Sequence, residues 1–352
     1  MKKKNLVLVG GGHSHALLMT QMAKELRMWQ DVALTVISPS RISAYSGMMT
    51  GAIAGLYSLE EIHYDVKKLA ENVGATFVED FCVGIDLPSR VVHLASKDNR
   101  AYDLLSLNVG SVPRPLPFST GVKPIGSFFE RLSAIEVAGG VTQNIDVIGG
   151  GTSGCEVAMS LAGKALRQGL SWKICLFESS NSILPGQAPM LKSRVQEQLR
   201  KYKIDVYLGN PFKATVGRTV VNCTPARAPE WLAQTGLKTD EQGYVIHDSS
   251  LLTSDPSVFA CGDMAINPQE PTVRAGVYAV RQAPILKKNL RANLNSESYA
   301  QFHPQRNFLS LMVDGEGGAF GSKGSMYLGH SPFFLWIKDR IDRKFMNKIS
   351  SS

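Results

Sequence analysis

Apolar and amphipathic segments alternate in the same order in two parts of the chain. In the first part, an apolar run, a glycine triplet, a helical pattern and a second apolar run occupy 5–9, 10–12, about 14–28 and 32–37. In the second part, which begins 139 residues further on, the same segments occupy 145–148, 149–151, about 152–168 and 173–177. Short apolar runs joined by a helical pattern predict βαβ units. The sequence therefore predicts an α/β protein with two Rossmann-like units.

The second glycine turn has the full spacing of a dinucleotide-binding turn, with Gly149, Gly151 and Gly154. The three glycines allow a tight bend, a close approach of the backbone to a pyrophosphate, and close packing of helix on strand. The helix that starts at Thr152 offers free N–H groups to the phosphates. Glu178 ends the next strand, where a carboxylate can hold ribose hydroxyls.

The first glycine turn is imperfect. Gly10 and Gly12 are present, but His15 stands at the third glycine position and Ser38 stands where an acid is expected. The Ser38 hydroxyl can still bond a ribose, and Arg41 can stack on adenine or meet a phosphate. As the twin of the second unit, this turn predicts a second bound dinucleotide.

A third feature is the short apolar run at 258–260, which ends at Gly262 and Asp263. Open α/β sheets bind ligands at the carboxyl ends of their strands. A helical pattern follows over 272–290 and directs its N-terminus toward the same edge.

Length and composition restrict the class of protein. The 352 residues predict about two domains, and 44% apolar with 19% charged residues is ordinary for a globular protein. The net charge of +8 comes without aromatics interleaved in a basic stretch, so no nucleic-acid partner is predicted. Five scattered cysteines predict reduced thiols and a cytoplasmic location. Seven scattered histidines predict no metal.

No membrane-spanning segment is predicted, because the run at 6–9 is too short and the uncharged stretch 42–59 is too polar. The segment 332–349 instead predicts an amphipathic helix with excess positive charge. Its apolar positions at helical spacing are Phe333, Phe334, Ile337, Ile341, Phe345 and Ile349. Such a helix suits peripheral contact with anionic lipid on the inner face of the cell membrane, or packing against its own domain or a homodimer mate.

These motifs resemble those of the flavin-dependent pyridine-nucleotide oxidoreductases, which include type II NADH dehydrogenases, sulfide:quinone reductases and glutathione-reductase-like enzymes. The resemblance implies that the first turn holds FAD and the second holds NAD(P)H. It implies that Gly262 and Asp263 contact the ribityl–phosphate part of FAD. The segment from Tyr102 to Ser111 is similar to the crossing segment between the domains, so Ser111 is carried over as an FAD contact.

A closer resemblance is to the subgroup found fused to selenophosphate synthetase (selenide, water dikinase). It rests on four segments, at 10–15, 45–48, 228–232 and 336–346. No kinase sequence follows here, so a stand-alone oxidoreductase is implied.

The family pattern also implies the domain organisation. Residues 1–118 and 244–295 would form the FAD domain, and residues 119–243 an inserted NAD(P)H domain. Residues 296–352 would form a C-terminal interface segment with the amphipathic helix.

The implied reaction is hydride transfer from nicotinamide to flavin, which the cofactors carry. Glu156, in the first turn of the second helix, is the candidate catalytic side chain beside the nicotinamide. Alternatively, it is a carboxylate that the helix dipole favours at this position and that has no catalytic role. His13 in the first turn is a candidate FAD contact or a packing residue. Glu178 without a nearby arginine favours NADH over NADPH.

The second electron acceptor is left open. The first unit carries only Cys82, so a disulfide reductase with a Cys-x-x-x-x-Cys pair is disfavoured. The leading hypothesis is an FAD-dependent NADH oxidoreductase with a small-molecule acceptor, a quinone being favoured. The alternatives are a cytosolic reductase of a sulfur or selenium compound, in which Cys155 or Cys223 would take part, and a flavin-binding regulatory protein with little turnover.

Overall fold

The structure is a computed structural model that describes residues 3–137, 142–209, 212 and 217–350. Its strands are β1 (Lys4–Val9), β2 (Val32–Ser38), β3 (Ile42–Ala44), β4 (His63–Asp65), β5 (Thr76–Glu79), β6 (Cys82–Asp86), β7 (Val91–Leu94), β8 (Arg100–Ala101), β9 (Leu104–Leu107), β10 (Ser119–Gly121), β11 (Gln143–Ile148), β12 (Trp172–Glu178), β13 (Asp205–Leu208), β14 (Thr219–Asn222), β15 (Val245–Ile246), β16 (Val258–Ala260), β17 (Ala265–Ile266), β18 (Leu309–Val313), β19 (Ala319–Lys323) and β20 (Met326–Ser331). Its α-helices are α1 (His13–Ala23), α2 (Met49–Ile53), α3 (Leu59–Ile62), α4 (Val66–Asn72), α5 (Ile125–Val137), α6 (Thr152–Gln168), α7 (Pro189–Lys201), α8 (Gly276–Asn295) and α9 (Pro332–Ser350).

The first predicted unit forms a five-stranded parallel sheet in the order β16-β9-β1-β2-β5. β1 is buried from its third residue onward, as a strand covered on both faces must be. α4 packs against β2 and β5 of this sheet, and α1 packs against α4 and α8. β16 follows the whole second unit in sequence, yet it pairs with β9.

The second predicted unit forms another five-stranded parallel sheet, in the order β10-β14-β11-β12-β13. α6 packs against β11 and β12, and α7 against β13. The two sheets confirm the predicted α/β class with two Rossmann-like units.

A three-stranded antiparallel sheet, β18-β19-β20, closes the C-terminal part, which we call the C-terminal sheet. α9 packs against all three of its strands, while α6 packs against β18. α9 also contacts α1, and α2 contacts α6. The C-terminal sheet and α9 therefore lie where the two Rossmann-like units meet.

Two helix boundaries differ from the sequence pattern. α1 ends at Ala23 and is followed by a short 3-10 helix, whereas the sequence pattern predicted a helix to about residue 28. The pattern ran too far because Leu26 fits the apolar spacing, although Leu26 is 48% exposed. α8 begins at Gly276 rather than at Thr272, because the chain before it is extended, with the Arg274 guanidinium 3.8 Å from the Tyr244 ring centroid. Among the described residues, no helix is long and apolar enough to cross a membrane.

Candidate functional site

The two glycine turns have matching geometry. Gly10 and Gly149 have φ of +99° and +103°, in the region that other residues rarely adopt. Each turn leads into a helix whose N-cap is a glycine, Gly12 or Gly151, which has no side chain to bond the first N–H groups. In α1 the His15 N–H donates to Asn108 Oδ1 at 3.5 Å. A Cβ atom on Gly154 would overlap the Gly149 carbonyl, so this position requires glycine. Both helix ends therefore present N–H donors and a positive dipole end that suit a pyrophosphate.

Ser38 and Glu178 occupy equivalent places behind the two turns. A Cβ atom on Gly11 would lie 3.1 Å from Ser38 Oγ, and one on Gly150 would lie 3.1 Å from Glu178 Oε2. The Gly150 N–H donates to Glu178 Oε2 at 2.6 Å, and the Ser180 N–H and hydroxyl donate to Oε1 at 2.8 and 2.7 Å. Burial alone would raise the pKa of Glu178, but these donors hold it below its ordinary value. An ionised carboxylate thus borders the second turn, and a neutral hydroxyl borders the first.

His15, at the third glycine position of the first turn, is fully buried. Its Nδ1 lies 2.7 Å from the Gly10 carbonyl and its Nε2 lies 2.8 Å from Ser106 Oγ on β9. Burial lowers the pKa of His15 to about 4. The neutral ring fills the space between α1 and β9 that a third glycine would close, so His15 has a packing role.

His13, Asp263 and Lys123 meet where α1 begins. Asp263 Oδ2 lies 2.8 Å from Lys123 Nζ, on the segment that enters the second unit. Burial would raise the pKa of Asp263, but the Lys123 charge holds it below its ordinary value. Burial lowers the pKa of His13 to about 4. The sequence singled out His13 and Asp263; it missed Lys123, which carries no motif.

Gly262 has φ of +74°, and its N–H donates to Gln282 Oε1 on α8 at 2.8 Å. A Cβ atom on Gly276, the first residue of α8, would lie 3.6 Å from His13 Nδ1. The starts of α1 and α8 and the end of β16 thus converge on one place, where a ligand of the first turn would extend.

Glu156 is enclosed between three parts of the chain. Its Oε1 accepts hydrogen bonds from Thr50 Oγ1 on α2 and from the Val313 N–H on β18, both at 2.8 Å. Burial raises the pKa of Glu156, and the charge of Lys338 opposes this. The carboxyl group is therefore fixed at the junction of the two Rossmann-like units and the C-terminal sheet.

α9 contributes a buried ion pair beside Glu156. Lys338 Nζ donates to the Gly47 carbonyl at 2.5 Å and to Asp342 Oδ2 at 2.7 Å, and the two side chains are 10% and 5% exposed. The Tyr45 hydroxyl also bonds the Asp342 carboxyl group, whose pKa burial raises. In the sequence, both residues entered only the charge balance of the amphipathic helix, and the pair was not predicted. The four-residue spacing of opposite charges was the available signal.

The buried and exposed faces of α9 differ from the single apolar stripe expected. Phe345 and Ile349 are buried, and the Phe345 ring stacks on Tyr45 with centroids 4.2 Å apart. Phe333, Ile341 and Trp336 are 60%, 50% and 54% exposed. One helix therefore covers the site with one face and presents aromatic and apolar side chains outward with another.

The remaining predicted residues lie around the turns. Thr152 is exposed at the start of α6, and Ser111 is buried just after β9. Arg41 Nη2 pairs with Asp65 Oδ2 at 2.5 Å, so its charge already has a partner.

All five cysteines are free thiols. Burial raises the pKa of Cys82, Cys223 and Cys261 to about 12, and that of Cys155 further. A thiol must ionise to act as a nucleophile, so burial disfavours the reactive thiolate form of these four cysteines. Across the residues that the structure describes, no three His, Cys, Asp or Glu side chains group as metal ligands would.

Comparisons with known proteins agree with this architecture. A sequence model of the family named pyridine nucleotide-disulphide oxidoreductase matches residues 4–228 and 220–283. The probable ferredoxin reductase CtmF of Castellaniella defragrans is 26% identical over 308 residues, covering 80% of this chain and 72% of that protein.

Two solved structures share the fold. The sulfide:quinone oxidoreductase of Aquifex aeolicus superposes with a TM-score of 0.80 at 16% identity, covering 98% of this chain and 91% of that one. NDH2 from Plasmodium falciparum, solved in complex with NADH, superposes with a TM-score of 0.78 at 12% identity, covering 98% and 97%.

Proposed function

The chain belongs to the pyridine nucleotide-disulphide oxidoreductase family, and we propose that it is an NADH dehydrogenase that delivers electrons to a quinone. It is an oxidoreductase that uses FAD and NAD(P)H. Within that class, we infer a preference for NADH over NADPH and a quinone as the electron acceptor.

The first turn and its surroundings fit FAD. The glycine-capped N-terminus of α1 would receive the pyrophosphate, Ser38 the ribose, and the Gly262–Asp263 strand end the ribityl chain. The proposed FAD contacts are Gly10, Gly12, His13, Ser38, Arg41, Ser111, Gly262 and Asp263. The Asp263–Lys123 pair would fix the carboxylate that faces this ligand.

The second turn and its surroundings fit NADH. The proposed contacts are Gly149, Gly151, Thr152, Gly154 and Glu178. The Glu178 carboxylate stands beside the turn with its pKa held below the ordinary value, so it is ionised at neutral pH. An anion there accepts hydrogen bonds from two ribose hydroxyls and repels a 2′-phosphate. This supports NADH over NADPH.

The position of Glu156 between the two Rossmann-like units is the main support for hydride transfer at their junction. When bound, the two cofactors supply hydride transfer from nicotinamide to flavin. Glu156 follows the second turn by two residues, yet its carboxyl group bonds Thr50 of the first unit. Two hydrogen bonds fix the Glu156 side chain in place. Such a fixed carboxyl group can orient a nicotinamide at the junction, because the side chain does not have to move when the hydride is transferred.

The chemistry of the thiols supports an acceptor other than a disulfide. Cys82 stands alone in the first unit, on β6, and the buried thiols of Cys155 and Cys223 are protonated. This also weighs against a thiol-dependent reductase of sulfur or selenium compounds.

α9 supports a lipid-soluble acceptor. Its inner face brings Lys338 and Phe345 to the site, while its outer face exposes Phe333 and Trp336. An aromatic side chain next to basic residues suits the headgroup level of an anionic membrane. Arg340 lies 5.1 Å from the Trp336 ring centroid. We therefore assign 332–349 as the segment that contacts the membrane and admits a quinone.

We also propose domain bounds for the chain. The pairing of β16 with β9 supports an NAD(P)H domain at 119–243 inserted into an FAD domain at 1–118 and 244–295. The residues that resemble the subgroup fused to selenophosphate synthetase include 45–48, which border the Lys338–Asp342 pair. A homodimer through the C-terminal segment 296–352 is an alternative use of the outer face of α9.

Anaerobic stopped-flow spectroscopy tests the proposal. We expect NADH to bleach the flavin absorbance faster than NADPH, and a short-chain quinone to restore it. A yellow protein that neither nucleotide reduces would contradict the dehydrogenase function. Rapid reduction of the flavin by NADH without reoxidation by quinone would contradict the quinone acceptor and leave the NADH dehydrogenase function intact.

A further inference from the structure

The two hydrogen bonds that fix Glu156 come from outside its own helix. Thr50 lies on α2 of the first unit, and Val313 is the last residue of β18 in the C-terminal sheet. α2 has only five residues, and a helix of that length is not stable on its own in water. β18 is an edge strand of its sheet. The placement of both donors therefore depends on the contacts that hold α2 and β18 against α6.

One guanidinium contacts the ends of both elements. Arg167, in the last turn of α6, donates through Nη1 to the Gly315 carbonyl at 2.6 Å and through Nη2 to the Ala54 carbonyl. Ala54 is the C-cap of α2, four residues after Thr50, and Gly315 lies two residues after Val313. The last carbonyls of a helix have no partner within that helix, and a guanidinium can donate to two separate acceptors. Arg167 thus joins α2 and the turn after β18 to the same helix, α6.

The turn after β18 also lies directly on α6. A Cβ atom on Gly163 would overlap the Gly315 carbonyl, and a Cβ atom on Gly315 would overlap the Met159 carbonyl. Gly315 has φ of +87°, in the region that other residues rarely adopt. The backbone of the turn therefore has little freedom against the helix. Because Val313 precedes Gly315 by two residues, a contact that fixes Gly315 also fixes the Val313 N–H.

We propose that Arg167 is a positioning residue that acts through Glu156, because it holds α2 and the turn after β18 where Thr50 and the Val313 N–H both reach the Glu156 carboxyl group. The inference rests on the function proposed above for Glu156. Arg167 is exposed and lies eleven residues from Glu156, about 16 Å along α6. Water and salt screen its charge over that distance, so its effect on Glu156 is geometric.

Hydrogen exchange of the full chain with bound FAD, read by mass spectrometry, tests this geometry without any turnover. Arg167→Met keeps a long side chain and removes both donors. We expect faster exchange in peptides that span 309–318, where the Val313 N–H lies, and exchange like that of the parent protein in β11. Lys164→Met is the matched control, because it removes a cation of α6 that pairs at 2.9 Å with Glu136 on α5. Its exchange over 309–318 should equal that of the parent protein.

A double-mutant cycle tests whether Arg167 acts through Glu156. In anaerobic stopped-flow, Arg167→Met should slow flavin reduction by NADH by about fivefold, since displacing a positioned group lowers the rate. In the Glu156→Ala background, the same substitution should change the rate by less than about twofold, because the group that it positions is absent. Lys164→Met should leave the rate unchanged.

Two results would overturn the proposal. One is exchange over 309–318 in Arg167→Met that equals that of the parent protein, and the other is an equal loss of rate with and without the Glu156 carboxyl group. A parent protein that NADH does not reduce would contradict the proposed function instead. In that case the placement of Glu156 by Arg167 would stand or fall with the exchange result.

Discussion

Replacing Lys338 with methionine would remove the cation that lies between two buried carboxyl groups. Lys338 and Asp342 form a pair at 2.7 Å with side chains 10% and 5% exposed, and the charge of Lys338 also acts on Glu156. Removing one partner of a buried pair costs about 3–5 kcal/mol, because the other charge is left uncompensated. The lysine keeps some exposure, so we expect the lower end, about 3 kcal/mol at pH 8.

The loss should depend on pH with a definite sign. Burial raises the pKa of both Glu156 and Asp342, and removing the ammonium raises them further. A carboxyl group with a raised pKa in the folded state stabilises the fold fully below its unfolded pKa, about 4. That contribution disappears as the pH rises through the folded pKa. The Lys338→Met variant should therefore lose less stability at pH 5 than at pH 8.

Urea unfolding of the flavin-loaded proteins at both pH values measures this difference. Lys344→Met removes an exposed lysine of the same helix and should leave the unfolding midpoint unchanged. Adding Asp342→Leu to Lys338→Met should recover most of the loss, because the stranded charge is removed. A loss of equal size at pH 5 and pH 8 would refute the role assigned to the carboxyl groups.

Three further predictions concern the cofactors and the membrane. Glu178→Arg should shift the preference from NADH toward NADPH by about 100-fold in kcat/KM, since it replaces a repelling charge with an attracting one. Glu156→Gln should slow flavin reduction in stopped-flow by about 10-fold or more while FAD stays bound. Replacing Phe333 and Trp336 with serine should reduce sedimentation with anionic liposomes without changing flavin reduction, because both side chains are exposed on α9.

Matched exposed residues serve as controls for these three predictions. Glu241→Arg and Glu130→Gln change exposed glutamates and should leave nucleotide preference and reduction rate unchanged. Phe118→Ser removes an aromatic side chain that is 88% exposed and lies outside α9, so liposome binding should persist. Equal liposome binding by the Phe333 and Trp336 variants would count against the membrane assignment, and an unchanged reduction rate in Glu156→Gln against the positioning role.

Both Rossmann-like units could be predicted from the sequence because their signals are local. Apolar runs of strand length, a helical spacing and the turn glycines all lie within about 35 residues of one another, and each is dictated by backbone geometry. His15 departs from the glycine pattern, and the structure places its ring between the Gly10 carbonyl and the Ser106 hydroxyl. Helix ends were less certain, because Leu26 fits the apolar spacing and still points into solvent.

The residues that form the site could not be predicted in the same way, because they come from distant parts of the chain. Glu156 bonds Thr50 across 106 residues, Lys123 reaches Asp263 across 140, and Lys338 reaches Gly47 across 291. Periodicity places a residue on a face of its own helix; it does not say which element packs on that face. For α9, the apolar spacing predicted one buried stripe, whereas the C-terminal sheet and α1 selected a face that includes Lys338 and Asp342.

The sequence by itself determined that this protein has two nucleotide-binding turns, because each strand–helix junction needs glycine where φ is positive, at Gly10 and at Gly149. Tertiary structure alone decided which side chains lie at the junction of the two Rossmann-like units. It also decided which charges are buried there, since burial depends on elements from three distant parts of the chain packing together.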